Sequence, residues 1–264
     1  MNSLPDNIET QGSSLRLRCP YFRILVMGRS NAGKTTILKK VCNSVDDPLI
    51  FDRRGRRIDP SVVAPSAERG YHDINNEMIF KSNRDFIFHD SRGFECGSVD
   101  ETETVKKFLT KRAKARELKD QLHAVWYCLP TDTARPILAA DETFFNGCGI
   151  GKAPVIVIFT KFDGLVTMAC SELRSHLSFR EALKQAPAAA VIKLDALFKK
   201  PLQASKFPPA ACLYLRDMQR AGTTCAELIE ATAGAITDDA LKGLFLSVQQ
   251  SNVELCSRHV LESM

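Results

Sequence analysis

The segment RILVMGRSNAGKTTILKK, Arg23–Lys40, limits what this chain can fold into more than any other stretch. An apolar run enters a loop in which Gly28 and Gly33 bracket four residues, and Lys34 and Thr35 follow, the spacing GxxxxGK[ST]. A loop bent this tightly turns successive backbone N–H groups inward, and glycine allows the backbone angles and close approach required. A helix starting near Lys34 adds the positive end of its dipole, so the concavity suits a chain of phosphates. The expected cradle is Gly28, Arg29, Ser30, Asn31, Ala32 and Gly33, with Lys34 reaching the outer phosphates. Thr35 and Thr36 open the helix, and the Thr35 hydroxyl is the expected Mg²⁺ ligand.

Composition bounds the rest. At 264 residues and 44% hydrophobic content, the chain can bury one substantial core and fits one enlarged domain. A formal charge of +5 is too modest to point to nucleic acid. The nine cysteines are odd in number and scattered, with no CxxC pair and no zinc spacing. The first twenty residues show no signal-peptide pattern, so the thiols are expected reduced and the chain cytoplasmic. No apolar run approaches the ~20 residues that span a bilayer, and neither a myristoylation start nor a prenylation end is present.

Periodicity predicts strands alternating with helices. Residues 1–20 read as a polar, flexible segment. YFRILVM is the first strand, the first helix runs from Lys34 to about Asn43, and 45–70 reads as a long loop containing Pro48, Pro60 and Pro65. YHDINNEMIF and RDFIFHD read as paired strands joined at Lys81–Asn83. A charged helix follows, then the strand HAVWYCL, a helix over 137–146, and the wholly apolar strand PVIVIFT. Helical patterns fill most of 166–199, and ACLYL is a last strand. The expected fold is α/β, a mostly parallel central sheet with helices on both faces plus C-terminal helices. The expected divisions are 1–20, a nucleotide domain over 21–222, and a helical extension over 223–264.

A base-reading element follows the loop in order. PVIVIFTKFD ends its strand with Thr160, Lys161, Phe162 and Asp163, matching [NT]KxD. An ionised carboxylate offers only acceptors. Guanine presents two donors side by side, N1–H and the 2-amino group, where adenine presents an acceptor. Asp163 therefore suits guanine, and adenine would leave its charge unpaired. The Lys161 stem can lie over the base plane.

Two DxxG matches compete for the metal side. Asp52–Gly55 follows only the short PLIF and sits among arginines, so it reads as loop. Asp90–Gly93 closes the alternating strand RDFIFHD, where a carboxylate near Mg²⁺ belongs. Asp90 would hold the metal directly or through water, and the Gly93 N–H would sense the γ-phosphate. GCGIGK, Gly147–Lys152, precedes a strand and reads as a turn.

With these three motifs in order, the chain resembles a P-loop small GTPase domain of the translation-factor type, on the Era, TrmE and septin side. HDSRGFE, HAVWYC and PVIVIFTKFD make it most similar to G-domain proteins of mushroom-forming fungi. The resemblance covers roughly 21–217 and implies GTP/GDP binding, Mg²⁺ and slow hydrolysis used as a switch, with Lys34, Thr35 and Gly93 acting on the phosphates. It also implies an effector or activating protein. Such domains place a Thr before strand two. None lies between Thr36 and Thr102, leaving Ser66, Ser61 or no residue for that role. ACLYLRDM stands where a SAK-like fifth motif is usual. Phe94 follows Gly93, and a phenyl ring cannot orient a water, which implies slow turnover. Asn31 matches the asparagine of GxxNxGKS loops, which can help bind K⁺. The missing Thr favours an alternative, a GTP-dependent assembly module with septin-like logic and little turnover.

Other features have plainer readings. Arg53, Arg54, Arg56 and Arg57 read as a solvated insertion. Lys106, Lys107, Lys111, Arg112, Lys114 and Arg116 are interleaved with or flanked by Glu101, Glu103, Glu117 and Asp120, as on a solvated helix. His89 reads as a packed strand histidine. Leu241, Leu244, Phe245, Val248, Leu255 and Cys256 form an apolar stripe expected to pack on the core, with docking of a second helix, in cis or from another copy, as the alternative.

Overall fold

The computed structural model describes residues 15–58, 73–91, 99–148, 151–220 and 222–249. Its eight-stranded sheet comprises β1 (Phe22–Gly28), β2 (Leu49–Phe51), β3 (Arg57–Ile58), β4 (Glu77–Phe80), β5 (Asn83–Asp90), β6 (Ala124–Pro130), β7 (Val155–Thr160) and β8 (Ala211–Tyr214), in the order β3-β2-β4-β5-β1-β6-β7-β8. From β5 to β8 every neighbouring pair is parallel, while β4, β2 and β3 join antiparallel at one edge. Besides helical residues 15–18 and a 3-10 turn, Leu118–Asp120, the helices are α1 (Lys34–Val41), α2 (Val99–Ala113), α3 (Ala139–Gly147), α4 (Phe162–Leu173), α5 (Phe179–Leu194), α6 (Ala226–Ala235) and α7 (Asp239–Val248). A π-helical turn, Asp195–Lys199, and a last α-turn, Lys200–Gln203, extend α5.

Strand alternation divides the core into two layers. Ile24 and Val26 of β1 and Trp126 of β6 point to the face covered by α1, α6 and α7. Leu25 and Met27, with Tyr127 and Leu129, point to the face covered by α2, α3, α4 and the C-terminal half of α5. Both faces of the central strands are buried, which is why HAVWYCL and PVIVIFT are apolar without alternation. Trp126 Nε1 donates to Thr232 Oγ1 at 3.1 Å, so the buried indole is satisfied from α6. Burial pushes the thiols of Cys42, Cys128 and Cys225 up to about 12, the range of inert core cysteines.

The reading of 45–70 as loop is corrected at its start. β2 and β3 form a hairpin there, with Ile50 opposite Ile58, and β2 extends the sheet beyond β4. Asp52 closes it: Oδ1 accepts from the N–H groups of Arg54 and Arg56 at 2.8 and 2.9 Å. Strands of three and two residues are too short to carry a period. Helix α4 starts at Phe162, four residues ahead of the predicted pattern, and a Ser178–Glu181 capping box starts α5 separately. The first of the paired strands is confined to Glu77–Phe80. No described helix is long and apolar enough to cross a membrane.

Candidate functional site

The phosphate loop runs from the end of β1 into α1, and its backbone is what the glycine spacing requires. Gly28 has φ 135°, and a Cβ there would stand 2.1 Å from the Cys128 carbonyl oxygen on β6, so no other residue fits. Asn31 and Gly33 are also left-handed, at φ 56° and 78°. Ala32 is buried in the core, whereas Ser30, Asn31, Thr35 and Thr36 are exposed. Lys34 Nζ lies back over the loop and donates to the carbonyls of Gly28 and Arg29 at 3.1 and 3.0 Å.

The Arg29 side chain turns away from the cradle. It donates to the carbonyls of Arg135 and Pro136 and to Asp141 Oδ2, each at 2.8 Å. Asp141 also accepts from Tyr127 Oη at 2.7 Å and from the Leu138 N–H at 2.8 Å. Arg29 can therefore offer a phosphate only its backbone. This buried clamp was not expected from the motif, though an acidic residue at the third position of α3 is a capping signal.

Asp90 stands beside the loop because β5 pairs with β1, placing Asp90 opposite Val26. Its Oδ1 and the Ser91 hydroxyl are buried and unpartnered among the described residues. Burial pushes the Asp90 carboxyl up to about 6, against the pull of the Lys34 ammonium. A buried carboxylate oxygen with no donor fits a divalent cation. Gly93, Phe94, Ser61 and Ser66 lie outside the described residues. Asp52 is committed to its hairpin, as the loop reading requires. Ile74 O accepts from His89 Nδ1 at 2.9 Å, and His89 Nε2 accepts from Arg23 Nη1 at 2.8 Å, so this histidine is packed and bonded.

The second half of the site lies at the same carboxyl end of the sheet, at the end of β7. Thr160 closes the strand, Lys161 is left-handed at φ 55°, and Asp163 is in the first turn of α4. Two loops fix this segment. Thr131 Oγ1, after β6, donates to the carbonyls of Thr160 and Lys161 at 3.0 and 3.1 Å, and Asp132 pairs with Lys161 Nζ at 3.0 Å. From the other side, the Asp217 N–H donates to Asp163 Oδ1 at 3.2 Å, and the Phe162 ring stacks on Tyr214 with centroids 4.2 Å apart. The loop after β8 thus packs against the Thr160–Asp163 segment. It has no signature in sequence because Asp217 contributes a backbone group.

Ligands of open α/β sheets bind outside the carboxyl ends of the strands, where the strand order reverses. That point here is β1, flanked by β5 and β6. The sheet and its loop define an α/β P-loop NTPase fold and a nucleotide-binding protein of that class. No protein-family profile matches the chain. It is similar to the shikimate kinases of Burkholderia thailandensis and Burkholderia pseudomallei, at 29% identity over 136 residues, spanning 48% of this chain and 71% of those enzymes.

Proposed function

We propose that this chain binds guanine nucleotide with Mg²⁺ and hydrolyses GTP slowly as a switch, with 21–222 forming the G domain. The observation that carries this reading is the support around Asp163. Its carboxylate is anchored by the Asp217 N–H, while Asp132 holds the neighbouring Lys161. A carboxylate so fixed presents acceptors alone, which suits the paired donors of guanine. Asp90 and Thr35 would hold the cation, which when bound neutralises charge on the phosphates. Lys34 would leave its two carbonyl acceptors for the outer phosphate oxygens. K⁺ bound beside Asn31 would be an additional source of positive charge.

The shikimate kinases favour a second reading, phosphoryl transfer from a nucleotide to an acceptor other than water. Base selectivity tests the guanine reading, and the fate of the phosphoryl group separates hydrolysis from transfer. Asp163→Asn should weaken GTP strongly and relax selectivity toward xanthine nucleotides, whose 2-oxo group needs a donor. Equal affinity of the unaltered protein for ATP and GTP would end the guanine reading. Failure to release phosphate from GTP without an added acceptor would end the hydrolytic one.

A further inference from the structure

Helix α5 is apolar on two sides. One row at a spacing of four, Ala182, Ala186, Ala190 and Leu194, is buried. A second row at the same spacing, Phe179, Leu183, Pro187 and Val191, lies in solvent, with Phe179 61%, Leu183 56% and Val191 44% exposed. Beside it run Arg180, Lys184, Ala188 and Ile192, the last 70% exposed. Residues four apart lie over one another on a helix, so each row is a ridge. A surface helix ordinarily buries one stripe and solvates the remainder. Packing accounts for the first row; the second stays largely uncovered, with the Arg174 guanidinium 5.5 Å from the Phe179 ring centroid.

Charge indicates what could cover it. From Arg174 to Lys206 there are seven Lys and Arg against two Asp and Glu, an excess as large as the formal +5 of the whole chain. Both acids are engaged: Glu181 bonds Ser178 at the helix cap, and Asp195 pairs with Lys200. Arg180 and Lys184 hold no ion pair among the described residues. A second copy of this face would meet the same positive excess and be repelled. A peptide partner needs a groove or a sheet edge, whereas these side chains stand out from a helix. A ridge of four apolar residues, ~18 Å long at 1.5 Å per residue, bordered by cations, has the character of an interfacial helix face.

We propose that the outer face of α5 docks on an anionic lipid surface, with Phe179, Leu183 and Val191 entering the headgroup boundary and Arg180 and Lys184 meeting lipid phosphates and carboxylates. The proposal is independent of the nucleotide. The test is co-sedimentation of the full chain with vesicles of phosphatidylcholine alone and with added phosphatidylserine, at low and high salt. Binding is expected only to the anionic vesicles and should weaken with salt. Arg180→Gln with Lys184→Gln should weaken it roughly 25-fold, at about fivefold per cation near the surface. Leu183→Ser with Val191→Ser should also release the protein, with unchanged circular dichroism and melting because both side chains are exposed. No binding, equal binding to neutral vesicles, or indifference to both double variants would overturn the proposal. So would capture by polyglutamate without vesicle binding, which would make the face a site for acidic polypeptide.

Discussion

Arg29 Nη2 and Asp141 Oδ2 stand 2.8 Å apart, with side chains 7% and 1% exposed, tying the phosphate loop to α3. Two charges this deep are stable only because each is also hydrogen-bonded, Arg29 to two carbonyls and Asp141 to Tyr127 and Leu138. Asp141→Ala strands the guanidinium and should cost roughly 3–5 kcal/mol in urea unfolding. Tyr127→Phe removes the donor to a buried carboxylate oxygen and should cost about 1.5–3 kcal/mol. The Arg29 carbonyl is one of the two acceptors of Lys34, so Asp141→Ala should also weaken nucleotide binding, as read by titration calorimetry. Unchanged affinity in a folded Asp141→Ala protein would show that the loop keeps its shape without the clamp.

The same clamp marks how much could be read in advance. The loop was legible from Gly28 to Thr35 because glycine spacing is local, and β6 and β7 because a buried parallel strand is apolar throughout. Arg29 and Asp141 are 112 residues apart, and Asp163 and Asp217 are 54 apart. Such pairs follow from which strands become neighbours, and no short pattern encodes that. Asp163 carries a sequence motif, but its partner is a backbone N–H with no side-chain identity. β2 and β3 escaped for a different reason, being too short for any period to emerge.

Acid should destabilise the fold through its buried histidines. The Arg23 N–H donates to His123 Nδ1 at 3.0 Å, and His123 Nε2–H faces the Leu118 carbonyl at 2.9 Å, so the ring is neutral with one proton. Protonation would set an N–H against an N–H. Burial lowers its pKa to about 4, and burial with Arg23 and Arg112 lowers that of His89 well below the usual value. Between pH 6.5 and 4 the unfolded chain binds the His123 proton and the folded chain does not. Stability is therefore full above about 6.5 and lost as pH falls, by roughly 2 kcal/mol from His123 between pH 7 and 5. Asp90, raised to about 6, binds its proton earlier in the fold and offsets part of this. His123→Gln isolates the histidine: urea unfolding at both pH values should show a shallower loss than in the unaltered protein. An equal loss would place the acid sensitivity elsewhere.

The C-terminal stripe decides whether α7 belongs to the core or to an interface between copies. Phe245 lies against Phe22 and Phe86, with ring centroids 4.7 and 6.0 Å away, and Leu244, Phe245 and Val248 are fully buried. Asn83 Nδ2, at the start of β5, donates to the Val248 carbonyl at 2.6 Å and fixes the end of the helix. Leu255 and Cys256 lie outside the described residues. Removing the Phe245 ring leaves a cavity between α7 and the paired strands β1 and β5, so Phe245→Ala should cost about 3–5 kcal/mol. Truncation at Asp238 removes all three buried side chains, uncovers Phe22 and Phe86, and should give insoluble protein. A truncated chain that stays soluble and folded, but no longer self-associates in size-exclusion chromatography, would instead assign the stripe to contact between copies. The two variants separate the cases, because a ring buried within one chain destabilises at every protein concentration. A ring buried between copies would destabilise only where the oligomer forms.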